Sequence, residues 1–141
     1  MNNKHMLLTF YYKFRYNRYS VKTNIRIPPN LCGRVLKIMH VGPILINGKA
    51  RLGEDISIHV NTSVVAQGNN GGVPQIGNNV VIGVGAVILG AVYIADGIAI
   101  GANAVVNKSF EETNIAIAGI PAKKISNNGK GTWQIKEDIR N

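Results

Sequence analysis

The side chains best suited to chemistry in this chain are its three histidines, His5, His40 and His59. Near neutral pH a hydroxyl is a poor nucleophile until a base takes its proton during attack. Imidazole is the side chain whose unperturbed pKa lies in that range. One well-positioned imidazole supplies roughly 10²–10⁴-fold in rate. His40 stands in Ile38-Met39-His40-Val41-Gly42-Pro43, and His59 follows Ile58. His5 lies in a basic, aromatic lead and is set aside. A zinc centre would need three converging histidines; only two fall in the patterned part of the chain, so no metal is expected.

Those two residues sit in a chain with a period of six. Isoleucine, leucine or valine occupies Ile46, Leu52, Ile58, Val64, Ile76, Ile82, Ile88, Ile94, Ile100 and Val106. Only Asn70 breaks the count, inside the Gly/Asn stretch Gly68-Asn69-Asn70-Gly71-Gly72. The three types make up 40 of the 141 residues, so chance would almost never fill ten of eleven such positions. Six matches neither a helix nor a simple strand. It is the hexapeptide signature of a parallel β-helix, in which each coil buries its face only by stacking on the next. Each inward aliphatic contributes roughly 1.5–3 kcal/mol. A second column, Ala50, Ile56, Thr62, Val80, Ala86, Val92, Ile98 and Ala104, suits a tight corner. Gly53, Gly77, Gly83 and Gly101 follow inward residues, where glycine is expected for its backbone freedom. Residues 46–106 supply a little over three coils, with partial coils at both ends.

The length allows one domain. No apolar run reaches the ~18–20 residues of a membrane span, and Met6 to Phe10 is too short for a signal-peptide core. Cys32 is the only cysteine, so nothing argues for disulfides or secretion, and cytoplasm is the default location. The charge is lopsided. Residues 1–53 hold ten Lys/Arg and no acid, whereas the remainder holds six Lys/Arg and seven acids. Three units follow. Residues 1–24 form a basic aromatic lead, for which a helix is one conformation. Residues 25–125 form the β-helix, with a protruding loop at 64–74 that shapes a cleft. Residues 126–141 form a polar tail, loosely held or a short helix. The lead either packs on the solenoid base with its charges solvated or meets an anionic partner, such as a membrane leaflet or a lipid-linked glycan. No nucleic-acid motif accompanies the charge, so no nucleic acid is expected.

Specific blocks carry a resemblance. Ile25-Arg26-Ile27-Pro28-Pro29-Asn30, the run from Leu36 through His40 to Asn47, Gln75-Ile76-Gly77-Asn78-Asn79-Val80, Ile100-Gly101-Ala102-Asn103-Ala104 and Ala118-Gly119-Ile120-Pro121-Ala122-Lys123 resemble the serine acetyltransferase branch of the hexapeptide acyltransferases. Its short members among capsule and O-antigen polysaccharide O-acetyltransferases are most similar. The resemblance covers about residues 25–125. It implies a left-handed coil, an exception to the right-handed crossover rule. It also implies a homotrimer, acetyl-CoA in a groove between neighbouring solenoids, and direct acetyl transfer to a hydroxyl. His40 falls at the family's catalytic histidine. Val84, Ala102 and Gly119 fall on the turns that hold the pantetheine arm. Lys123, with Lys108 and Lys124 as alternatives, falls on the base that meets CoA phosphates. By strict count His40 is also six residues before Ile46, so a buried core histidine is the competing reading. His59 is placed at a coil edge, either serving the acceptor site or standing as an exposed or interface histidine.

Departures bear on the acceptor. The acid that orients the catalytic histidine falls near Arg26, and the acid beside it is replaced by Met39. Val73 replaces a histidine that helps hold serine, and Val65-Ala66 replace a Gly-Gly. Asn30, a backbone carbonyl or an acid of another subunit is left to orient His40. The expectation is therefore an acetyl-CoA-dependent O-acetyltransferase acting on a sugar hydroxyl of a surface-polysaccharide precursor. Serine is the alternative acceptor, and a non-catalytic β-helical scaffold is the second alternative.

Overall fold

The computed structural model describes residues 3–68 and 71–131. Helix α1 (Asn3–Thr23) contains neither Gly nor Pro and ends at Asn24, whose left-handed φ of 57° stops it. A triangular solenoid follows. Among the described residues it stacks five coils, the strictly periodic ones being extended at both ends. The first has β1 (Ile25–Arg26), a single bridging residue, Cys32, and β2 (Leu36–Ile38). The second has β3 (Ile44–Ile46), β4 (Arg51–Leu52) and β5 (Ile56–Ile58). The third has β6 (Thr62–Val65), β7 (Gln75–Ile76) and β8 (Val81–Ile82). The fourth has β9 (Val87–Leu89), β10 (Tyr93–Ile94) and β11 (Ala99–Ile100). The fifth has β12 (Val105–Val106), a bridge at Phe110 and β13 (Ala116–Ala118). Strand β14 (Lys123–Ser126) turns back antiparallel on β13.

Three parallel faces result. The first runs β1-β3-β6-β9-β12, the second β4-β7-β10, and the third β2-β5-β8-β11-β13 with β14 at its edge. Every member of both six-residue columns is buried, including Thr62 at 1 % exposure. The left-handed β-helix is the fold of the chain.

The glycines after inward residues serve a different purpose from the one expected. Gly53, Gly77, Gly83 and Gly101 are absent from the left-handed backbone positions. They are needed for close stacking: a Cβ on Gly83 would sit 2.7 Å from the Ile100 carbonyl oxygen, and one on Gly53 would sit 2.6 Å from that of Gly77. The left-handed corner positions go largely to asparagine, with φ of 62° at Asn61, 53° at Asn79, 55° at Asn103 and 57° at Asn114. Asparagine tolerates that region better than other side chains with a Cβ.

The two ends of the solenoid differ. At the base, the last two turns of α1 cover the first coil. Ser20 is buried and Tyr16 half-buried, and Ile27, Leu31 and Leu36 line an open cleft of about 470 Å³ between helix and coil. The remainder of α1 is solvent-exposed, with Arg15 bonded to the Tyr11 and Tyr19 hydroxyls at 3.1 Å each. No helix among the described residues is long and apolar enough to cross a membrane. Near the other end, the start of the expected loose tail is pinned down. Lys130 is 3 % exposed and its ammonium bonds the Asp55 backbone carbonyl and lies 3.1 Å from Asp55 Oδ2. Lys37 meets the other carboxylate oxygen at 3.0 Å. The rest of the tail, 132–141, lies outside the described residues.

Candidate functional site

The corner that joins the third face to the first carries both solenoid histidines. Residues 39–43 make this turn between β2 and β3, and residues 59–61 make it one coil above, between β5 and β6. Register fixes the difference. Ile38 faces Ile58, and Ile44 faces Thr62, so the lower turn is two residues longer. Ile38, not His40, therefore continues the inward column. His40 is exposed on the outside of the corner, which corrects the reading of it as a core histidine. Gly42-Pro43 takes up the extra length, and a Cβ on Gly42 would lie 2.3 Å from Val60 Cγ2.

His59 is mounted more rigidly. Its N–H donates to the Ile82 carbonyl at 3.0 Å, and its own carbonyl accepts the Thr62 hydroxyl at 2.8 Å. The side chain is half-buried. The His40 and His59 ring centroids are 5.9 Å apart, with the planes tilted by 50°. Burial lowers the His59 pKa from its ordinary 6.5, and the charge of His40 lowers it further. No group of three or more possible metal ligands gathers among the described residues.

The expected donor-site residues divide between corners. Val84, Ala102 and Gly119 lie on successive coils of this same corner and all three are exposed. Backbone bonds stack them: the Gly85 N–H donates to the Val60 carbonyl (3.1 Å), the Asn103 N–H to that of Val84 (2.7 Å), and the Val105 N–H to that of Gly119 (3.0 Å). The two imidazoles thus stand at the foot of an exposed row of small residues. Lys123 pairs with Ala118 at the top of the third face, close to the end of that row. Lys124 is turned to Glu112 at 2.5 Å, and Lys108 sits over the Phe110 ring at 5.4 Å.

Three expected elements lie instead at the corner between the first and second faces: Asn30 with its left-handed φ of 64°, Lys108, and the loop between β6 and β7. Asn69 and Asn70 of that loop lie outside the described residues. Within one copy of the chain, this corner does not meet the histidines. Gly42-Pro43 marked a disturbed turn after His40 but not its two-residue length, and the Thr62 hydroxyl bond that fixes His59 was missed by sequence reasoning. That bond was hidden because Thr62 reads only as a small corner residue.

No protein-family model matches the sequence. The serine acetyltransferase of Helicobacter pylori strain J99 is 36% identical over 107 residues, which are 74% of this chain and 62% of that protein. Among solved structures, the Neisseria gonorrhoeae serine acetyltransferase in complex with serine aligns with TM-score 0.70 and 32% identity over 79% of this chain and 46% of that one. The Brucella abortus serine acetyltransferase in complex with coenzyme A aligns with TM-score 0.62 and 30% identity over 70% and 41%. The chain thus spans about three fifths of the H. pylori relative and under half of each solved chain. These findings overturn the expectation of a polysaccharide sugar as acceptor. The relatives and structural neighbours are serine acetyltransferases, which supports the alternative set beside it.

Proposed function

The chain is a serine acetyltransferase-like hexapeptide-repeat protein, and on that premise we propose that it is an O-acetyltransferase moving acetyl from acetyl-CoA to the side-chain hydroxyl of serine. The observation that supports this most is the shared corner, where an exposed imidazole stands below the stacked row Val84, Ala102 and Gly119. In this reading the row holds the pantetheine arm against backbone groups. Lys123 meets the CoA phosphates as a charge-assisted partner. His40 takes the serine hydroxyl proton as the oxygen attacks the thioester carbonyl. The new C–O bond forms, the C–S bond breaks, and the His40 proton passes to the departing thiolate, giving O-acetylserine and free CoA.

The functional assembly we propose is a homotrimer. Asn30, Lys108 and the β6–β7 loop lie on one corner and the histidines on another. A second copy can bring the two corners together, and a contact between unlike surfaces of identical chains forms a ring when its rotation closes, here after three copies. Mass measurement in solution checks the ring.

The direct test of the activity is CoA release from acetyl-CoA with serine, for wild type and His40→Ala. The variant should lose about 10²–10⁴-fold in kcat. Wild-type release that serine does not accelerate would remove serine as the acceptor.

A further inference from the structure

At the two positions where the resemblance implies an acid for His40, this chain carries Arg26 and Met39. A second imidazole faces it instead. We propose that His59 is the positioning residue for His40, its ring accepting the hydrogen bond of the His40 N–H that points away from the substrate, directly or across one water. The inference rests on the reading of His40 as the base.

Three observations carry it. The rings approach with centroids 5.9 Å apart, on adjacent coils of one corner. His59 is the better anchored of the two, held through its N–H by Ile82 and through its carbonyl by the buried Thr62. His40, by contrast, stands on the longer, exposed turn, so its ring needs an external hold. On the strands that flank this corner the other titratable side chains are Lys37 of β2, which is turned to Asp55 at 3.0 Å, and Arg26 of β1. Neither can accept a hydrogen bond from an imidazole.

The chemistry follows from protonation. A neutral imidazole offers one donor and one acceptor, whereas an imidazolium offers donors only. When His40 takes the serine proton it becomes cationic, and a neutral His59 accepts its N–H and spreads the charge. A protonated His59 would repel it and could accept nothing. The half-burial of His59 disfavours that protonated form. The working pair therefore begins with both rings neutral, so two protons must be absent before transfer starts.

Kinetics across pH tests this on the full chain. In wild type the acid limb of log kcat/KM should approach a limiting slope of about 2, because two protons must be absent. In His59→Gln, which keeps a hydrogen-bonding group but does not titrate, the slope should fall to about 1 with most of kcat retained. His59→Leu should show the same slope and lose about 10- to 100-fold in kcat, with KM for acetyl-CoA within about threefold of wild type. A role in folding alone would not change the slope. Imidazole NMR titration provides a readout without substrate: removing His40 (His40→Ala) should move the His59 titration upward. A His59 titration indifferent to His40, or a His59→Leu variant with wild-type kcat and slope, overturns the inference while leaving His40 as base. A His40→Ala variant that still transfers acetyl overturns the reading beneath it.

Discussion

The same corner of the prism is built twice, on neighbouring coils and in two ways. In the upper coil, residues 59–61 make the turn in three residues, and His59 follows directly from the buried Ile58 with its backbone bonded on both sides. In the lower coil, residues 39–43 take five, and His40 is displaced from the repeat onto the outer surface. Regularity keeps one ring close to the core, half-buried and fixed. Two extra residues set the other where a substrate can reach it. Regular turns of this corner also carry exposed positions, such as Asn61 and Val84, but the position directly after the inward residue is shielded, and the lower turn sets His40 in the open one coil below the shielded His59.

Removing the departure should break the contrast. Deleting Gly42 and Pro43 gives the lower turn the length of the upper one and shifts the His40 ring relative to His59. Shortening a surface turn by two residues alters loop-closure entropy little, so the coils should persist. CoA affinity, which rests on the row above, should stay within about threefold. Acetyl transfer should fall by about 10² or more, the cost of a misplaced general base. CoA release measured beside CoA binding decides it. Retained transfer would show that the extra length is not what places the base.

What could be read from the residues follows the same division. The inward columns were legible because each short strand places one large aliphatic on the axis, and stacking repeats the demand in every coil. Ile46 to Val106 are buried as the period requires. For His40 the count alone offered a core position as the competing reading, and Gly42-Pro43 marked the turn at which the count stops applying. The glycines were recognised but for the wrong cause: Gly83 and Gly53 answer to a neighbouring carbonyl one coil away, a contact that no local backbone preference encodes. The row Val84, Ala102 and Gly119 came from resemblance alone, since small residues at corners are needed by the coil whether or not anything binds there. The Lys130 anchor joins residues 75 apart in sequence, and a lone lysine in a polar tail carries no pattern.

That anchor offers a control at a corner without a histidine. Asp55 lies between β4 and β5, where the second face turns into the third, and it is held by Lys37 and Lys130. Lys130→Met keeps the apolar stem but removes the buried ammonium. Asp55 is partly exposed and retains Lys37, so the loss should be about 1–2 kcal/mol, below that of a fully buried broken pair. It should appear as a drop of a few degrees in Tm, with kcat unchanged. A fall in kcat without a fall in Tm would mean that the histidine corner is not independent of this one.

The smallest expected effect separates the corners by pH. Burial, with His40 second, lowers the His59 pKa from 6.5, so the unfolded chain binds that proton more readily. The corresponding stability is complete above about pH 6.5 and is lost as the pH falls from there through the lower folded value. Asp55 titrates in a more acidic window. Hydrogen bonds from Lys37 and then Lys130 lower its carboxyl from 3.8, so its contribution is present above that value and disappears as the pH falls through the folded one. Thermal melts from about pH 8 to pH 3 should show two declines in wild type. His59→Gln should remove the first and leave the second, while Lys130→Met should weaken the second and leave the first. Because the two groups sit on different corners, their effects should add. A first decline that persists in His59→Gln would assign it to another group and remove the shielding ascribed to the regular turn.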